Sequence, residues 1–304
     1  VSVTIDGYAA EDVYPSNFPR EFTPAWIDAV LRHRGAALPR TPRAPFSLLD
    51  LGCGDGVGLI VMAAAYPEGR FTGVDAMPAH IAHGEALAAR LGLDNVTFRC
   101  APFADVEDAA FPAQDYVIAQ GVIAWISPAN RGHVYRLAAS CLGPDGVAVF
   151  GYNAMPGWKN IAAFQRMIHA LAEAETGPPE QRFDAAVARL RALGAAGAPG
   201  FSDSLWTWFD GARPTLPPGY FQHEYMNEHW APQWSDQVAR PMAAQGFARV
   251  GVANAQRQRE DFAFRSGQRQ ALGDIADPIA RELAADVFLD ASFRVDVFVR
   301  TGRK

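Results

Sequence analysis

The stretch Leu48-Leu49-Asp50-Leu51-Gly52-Cys53-Gly54-Asp55-Gly56-Val57-Gly58 constrains this chain more than any other. An apolar run broken by one acid feeds a glycine-rich turn, and residues 59–66 read as a helix. A strand, a tight turn and a helix start bring free backbone N–H groups and the positive end of a helix dipole to one point. The dinucleotide fingerprint G-x-G-x-x-G would set its third glycine at Val57. Glycines fall on either side of Val57 instead, so the loop reads as a nucleoside-binding turn of another kind.

Strands and helices alternate on both sides of this loop. Residues 46–51, 70–75, 96–100, 116–119 and 147–152 read as strands 1 to 5, with helices over 78–91 and 128–142 and turns at Gln114-Asp115 and 143–146. Such alternation gives an α/β fold with a mostly parallel, Rossmann-like sheet and helices on both faces. The unbroken apolar strands suit burial on two sides. Residues 247–253 and 293–300 add two late strands, for seven in all. The last alternates polar and apolar residues, as an antiparallel partner near an edge would.

Three regions follow. Residues 1–45 are an arm and a helix, with Trp26, Ile27, Val30 and Leu31 at helical spacing and Thr23 as its cap. The arm aromatics Tyr8, Tyr14, Phe18 and Phe22 either pack on the domain or form a lid. Residues 46–156 and 233–304 form the nucleoside-binding domain. Residues 157–232 carry helices at 159–175 and 180–194 and a loop with Trp206, Trp208 and Phe209, and read as a helical cap inserted after strand 5. Helices are also expected over 233–245 and 278–289, and Arg257, Arg259, Arg265 and Arg269 as a solvated face.

Ligands of open α/β sheets lie beyond the carboxyl ends of the strands. Asp75 ends strand 2, where an acid accepts both ribose hydroxyls. Asp50, just before the glycine turn, suits a cationic group, directly or through water, or tightens the turn by backbone hydrogen bonds. Acids at 50 and 55 would repel a pyrophosphate. The ligand favoured by this charge pattern is S-adenosylmethionine, whose methionine part carries an amino group. Gly52, Cys53 and Gly54 would line its loop, Ala76 and Met77 would follow the ribose acid, and Ala101, Pro102 and Phe103 would meet the adenine. Met77 and Phe103 are candidates to flank the ring. Gln120 and Gly121 end strand 4, where the methyl should lie, with Trp125 in the same loop and Tyr152-Asn153 at the end of strand 5.

The run from Leu48 to Asp75, with these strand ends, resembles the class I S-adenosylmethionine-dependent methyltransferases over about residues 46–152. A narrower resemblance rests on Tyr14-Pro15-Ser16-Asn17-Phe18-Pro19, Gly121-Val122-Ile123-Ala124-Trp125, residues 152–158 and His223-Glu224-Tyr225-Met226-Asn227. These are similar to bacterial methyltransferases with a methyltransferase regulatory domain, some of which methylate lysines of bacterial surface proteins. The resemblance implies the fold, the cofactor and a methyl acceptor such as a protein lysine. DNA and glutamine N-methyltransferases carry Asn/Asp-Pro-Pro-Tyr where this chain has Gln-Gly-Val-Ile, which disfavours those substrates.

An amine acceptor must be deprotonated, and desolvation among aromatics favours that. Tyr14, Trp125, Tyr152 and Trp158 would supply such a pocket, with Gln120 and Asn153 orienting the nucleophile. A hydroxyl acceptor would need a general base, for which His223, His229 or Glu224 are candidates. A small-molecule O- or carboxyl methyltransferase with the cap as lid, and a non-catalytic S-adenosylmethionine-binding module, are the alternatives.

Composition sets the outer bounds. The 304 residues are 49% hydrophobic, enough for a full core, and the net charge of −6 argues against a general nucleic-acid binder. Three scattered cysteines form neither a disulfide framework nor a zinc knuckle, so reduced thiols in a cytoplasmic setting are expected. No metal site is expected from His80, His83, His223 and His229, whose spacing lacks the i, i+4 pair around a glutamate. Neither a membrane-spanning run nor a signal-peptide pattern is present, and a homodimer is compatible with the sequence.

Overall fold

The computed structural model describes residues 4–5, 8–9, 18–41, 43–106, 111–198, 203–215, 221 and 224–302. Seven strands form the main sheet: β1 (Phe46–Leu51), β2 (Gly69–Asp75), β3 (Val96–Cys100), β4 (Gln114–Gln120), β5 (Leu142–Asn153), β6 (Phe247–Val252) and β7 (Phe293–Arg300). Their order is β3-β2-β1-β4-β5-β7-β6. The first five are parallel, and β7 pairs antiparallel with both β5 and β6. Strand order therefore reverses between β1 and β4, which opens a crevice beyond their carboxyl ends. A separate two-residue ladder joins Thr4–Ile5 to Tyr8–Ala9.

Among the described residues the helices of eight residues or more are α1 (Pro24–His33), α2 (Val57–Ala65), α3 (Pro78–Leu91), α4 (Pro128–Cys141), α5 (Lys159–Glu173), α6 (Pro179–Ala195), α7 (Asp203–Ala212), α8 (Ser235–Ala244), α9 (Ser266–Gly273) and α10 (Pro278–Leu289). Because strand side chains alternate, the central strands feed two cores. Leu49, Leu51, Val117, Ala119 and Phe150 pack on one face with α4 and α8. Leu48, Ile118, Val147 and Val149 pack on the other with α1 and α2. Phe164, Ile168, Phe183, Val187, Leu190, Leu205, Phe209 and Tyr225 form a third core of their own among α5, α6 and α7.

Several sequence expectations are corrected. The loop expected around Trp206 and Phe209 is helix α7, because Leu205 and Phe209 stand four apart and enter the third core together. Strand β7 is, as expected, an antiparallel partner near the edge of the sheet. It lies between β5 and β6, and its polar residues Arg294 and Asp296 are fully buried. Arg257 is also buried, bonded to Asp286 at 2.5 Å and to Glu282 at 3.0 Å, whereas Arg259 and Arg265 are exposed. The expected turns at 114–115 and 143–146 lie within strands. Pairing shifts from Gln114↔Leu142 to Tyr116↔Val147, so residues 143–146 bulge out of the ladder.

Candidate active site at the strand ends

The glycine turn is built by backbone contacts that side chains would obstruct. Gly52 has φ of 83°, and its amide donates to the Val74 carbonyl at 2.7 Å. A Cβ on Gly52 would sit 2.4 Å from Val122 Cγ2, so the β4 loop presses directly on the β1 loop. At Gly54, with φ of 56°, a Cβ would meet nothing within 4 Å, and the backbone faces open space. Only glycine populates such left-handed positions without steric penalty.

Asp75 ties this loop to β2. Its Oδ2 accepts from the Gly54 amide at 3.0 Å, and its Oδ1 from the Met77 amide at 2.9 Å. The buried ring of His80 lies 3.3 Å from Oδ1 through Nδ1. An ionised carboxylate has about four lone-pair sites, so it keeps capacity for a ligand hydroxyl. Asp50 is different. It is 8% exposed, and its Oδ1 is buried with no hydrogen-bond partner. Burial first, and the Asp75 charge second, push its carboxyl up to about 7. Burial, then Asp50 and Asp75, also raise the Cys53 thiol. A cation brought here would relieve all three groups.

Around the other strand ends, the Ala101 amide donates to the Asp75 carbonyl at 3.0 Å, which brings the β3 loop beside the ribose acid. Phe103 is half-buried against the core with Val122 and Trp125, Pro102 is exposed, and Ala76 is half-buried. Met77 is 5% exposed, so its side chain sits beneath the loop rather than on its surface. Gln120 and Gly121 are half-buried at the end of β4, and the Gly121 amide bonds the Gly151 carbonyl at 2.8 Å.

Trp125 and Asn153 meet as expected: the indole N–H donates to Asn153 Oδ1 at 3.3 Å. Sequence reasoning missed Trp230, which lies 5.9 Å from Trp125 and 5.4 Å from Trp158, centroid to centroid. It also missed Gln233, which bonds across to Asn153 and Met155. The Ala231 amide donates to the Ala124 carbonyl at 2.8 Å, pinning this returning segment on the β4 loop. No local periodicity marks these residues, since their partners lie far away in the chain.

Tyr152 is a correction. Adjacent strand residues point to opposite faces, so Tyr152 and Asn153 cannot line one wall. Tyr152 is fully buried and donates to Asp296 Oδ2 at 2.7 Å. Tyr14 and His223 lie outside the described residues, as does the side chain of Tyr8. Phe22 is buried, with its ring against Gly151, so that part of the arm belongs to the core.

Among the described residues no helix is long and apolar enough to cross a membrane, and no three His, Cys, Asp or Glu side chains group as a metal site.

The sheet order and the glycine turn at β1 define the class I methyltransferase architecture. A family model described as "Methyltransferase domain" matches residues 44–192, and one described as "Predicted methyltransferase regulatory domain" matches residues 217–300. The chain therefore carries a methyltransferase domain followed by a methyltransferase regulatory domain, on the class I S-adenosylmethionine-dependent methyltransferase fold, and S-adenosylmethionine is the cofactor of that domain. An uncharacterized protein of Synechocystis sp. is 26% identical over 97% of this chain and 58% of its own length. Trans-aconitate 2-methyltransferase of Methylobacterium nodulans is 36% identical over 38% of this chain and 42% of its own length. The structure of PKMT2 from Rickettsia typhi in complex with AdoHcy shares the fold, with a TM-score of 0.75 at 21% identity, over 95% of this chain and 55% of that one. The chain thus spans little more than half the length of its full-coverage relatives. The matched regulatory segment is no appendage: β6 and β7 complete the sheet.

The residues present fit the cofactor. Asp50 offers an unpartnered buried carboxylate for a cation, and Gly54 offers backbone open to a ligand.

Proposed function

We propose that this chain methylates an amine, with a protein lysine side chain as the acceptor class. The observation that carries this reading is the composition of the wall at the β4 and β5 ends. Trp125, Trp230, Trp158 and Asn153 meet there, three indoles and an amide. An amine needs desolvation and alignment more than a general base. Indole faces hold an ammonium group on approach, and exclusion of water favours loss of its proton. The fold shared with PKMT2 is consistent with this reading.

In this scheme Asp50 holds the amino group of the cofactor's methionine part. Asp75 and the Gly52–Gly54 turn hold the ribose, and Ala101, Pro102 and Phe103 bracket the adenine with Ala76 and Met77 behind. Gln120 and Gly121 border the reacting centre, and Asn153 orients the acceptor. When bound, the cofactor supplies a methyl group already activated on a sulfonium. The remaining work of the protein is in-line placement and exclusion of water. Residues 157–232 act as a cap on the acceptor side, supported by their own core and by the Ala231 and Gln233 contacts to the site.

Tritiated S-adenosylmethionine incubated with bacterial lysate and with free amines tests the reading. Acid- and base-stable label on lysine is expected. Cofactor binding with no labelled amine defeats it.

One observation favours a second reading, a carboxylate acceptor. Arg131, in the first turns of α4, has a buried Nε without a partner, and burial lowers its pKa. Base-labile label extractable into organic solvent, lost in Arg131→Met, would select that reading.

A further inference from the structure

The opposite end of the sheet carries a second cluster that methyl transfer does not use. An open surface depression of about 320 Å³ lies at the amino-terminal end of β1. Its charged and aromatic walls are Asp28 and Arg32 of α1, Arg40 and Arg43 of the linker, and Tyr66 and Glu68 after α2. That volume is at the small end of the range for small-molecule sites.

Arg40 is held rigidly there. Its side chain is 7% exposed, and its guanidinium lies 4.2 Å over the Phe46 ring. Nε donates to the Tyr116 hydroxyl at 3.2 Å, and Nη2 stands 3.7 Å from Asp28 Oδ2. Nη1 is buried with no hydrogen-bond partner. A buried guanidinium N–H left unmade is expensive unless a ligand or water completes it.

The surrounding charge is unbalanced. The Tyr116 hydroxyl donates to Asp28 Oδ1 at 2.5 Å, so this carboxylate is engaged by Tyr116 and Arg40 together. Arg32 and Arg43 are exposed and make no side-chain hydrogen bond or ion pair among the described residues. Three guanidinium groups therefore face two carboxylates, one of them occupied. Arg43 also holds φ of 66°, a left-handed conformation uncommon for non-glycine residues and enriched at ligand sites.

We propose that this depression is a binding site for a small soluble phosphate-bearing ligand, held by Arg32, Arg40 and Arg43 with the Tyr66 ring as its apolar wall. Forked, planar guanidinium donors match a phosphate better than a halide. Phe46 opens β1 and Asp50 lies near its far end, so this site and the cofactor loop are separate and can be filled together.

Inorganic phosphate is the probe, with the intact chain. Calorimetry and thermal melts compare sodium phosphate with sodium chloride at equal ionic strength. Expected is saturable phosphate binding that persists with S-adenosylmethionine present. Arg32→Ala/Arg43→Ala, which changes only exposed side chains, should weaken it about tenfold or more and leave cofactor affinity unchanged. Arg40→Met is the second variant, with folding checked by circular dichroism. Equal responses to phosphate and chloride, unchanged binding in the double variant, or displacement of phosphate by the cofactor would each overturn the site. Binding only to phosphatidic acid vesicles would overturn its assignment to a soluble ligand.

Discussion

Tyr152 donates its hydroxyl to Asp296 Oδ2 at 2.7 Å, and this bond joins the end of β5 to a buried cluster of charges. Arg294 bonds Asp296 Oδ1 at 2.7 Å and also reaches Asp286 and Glu282 of α10. Arg257 binds the same two acids from its loop. Arg249 approaches from β6, so elements throughout the regulatory segment lock onto the strand that presents Asn153.

Breaking this cluster should be severe. Asp296→Ala leaves Arg294 buried with reduced compensation, and a loss of roughly 3–5 kcal/mol is expected in urea denaturation. Tyr152→Phe removes one hydrogen bond and should lose roughly 1–3 kcal/mol, with cofactor affinity unchanged. A Tyr152→Phe protein of full stability that fails in turnover would return the phenol to the reaction.

The cluster also fixes the acid limit. Burial alone would raise the Glu282 carboxyl, but Arg249, Arg257 and Arg294 outweigh it and hold it at about 2 against an ordinary 4.5. The folded state thus binds fewer protons than the unfolded one in that window. Its contribution is full above 4.5 and is lost as pH falls toward 2. Glu282→Gln should flatten this part of the stability curve, measured by denaturation between those limits.

Asp50 gives the opposite slope. Its carboxyl keeps a proton up to about 7 in the fold against 3.8 unfolded. Cofactor-free stability should therefore fall as pH rises through that window, by at most about 1.4 kcal/mol per unit. Asp50→Asn should abolish the fall and also weaken S-adenosylmethionine binding at neutral pH. Parallel stability curves for parent and variant would refute the shifted carboxyl.

Contact between two loops predicts a rescue. Gly52→Ala drives a methyl against Val122 Cγ2 and should reduce cofactor affinity about tenfold or more. Val122→Ala in the same chain should restore part of it. Equal calorimetric affinities in the single and double variants would show that the two loops do not compete for space.

Asp75→Ala removes the acceptor for the Gly54 and Met77 amides and should loosen the loop as well as the ribose contact. A fall in cofactor affinity of about a hundredfold is expected by isothermal calorimetry. Retained affinity would displace the cofactor from this strand end.

The sequence by itself determined the local pieces. Apolar runs into Gly52–Gly58 specified a strand, a turn and a helix, because backbone sterics and hydrogen bonding are settled within a few residues. Asp50, Asp75, Trp125 and Asn153 were legible because strand ends in this fold converge. What only the tertiary structure decided depends on partners far apart in the chain. Trp230 reaches Trp125, Gln233 reaches Asn153, and Tyr152 turns from the crevice to Asp296. The alternation along β7 marked an antiparallel partner near an edge, which it is, but did not show that Arg294 and Asp296 are buried and that their charges cancel one another in the core. Alternation along a strand separates two faces but does not say which of them meets water. That is fixed by which elements cover each face, and here α10 covers the face that carries Arg294 and Asp296.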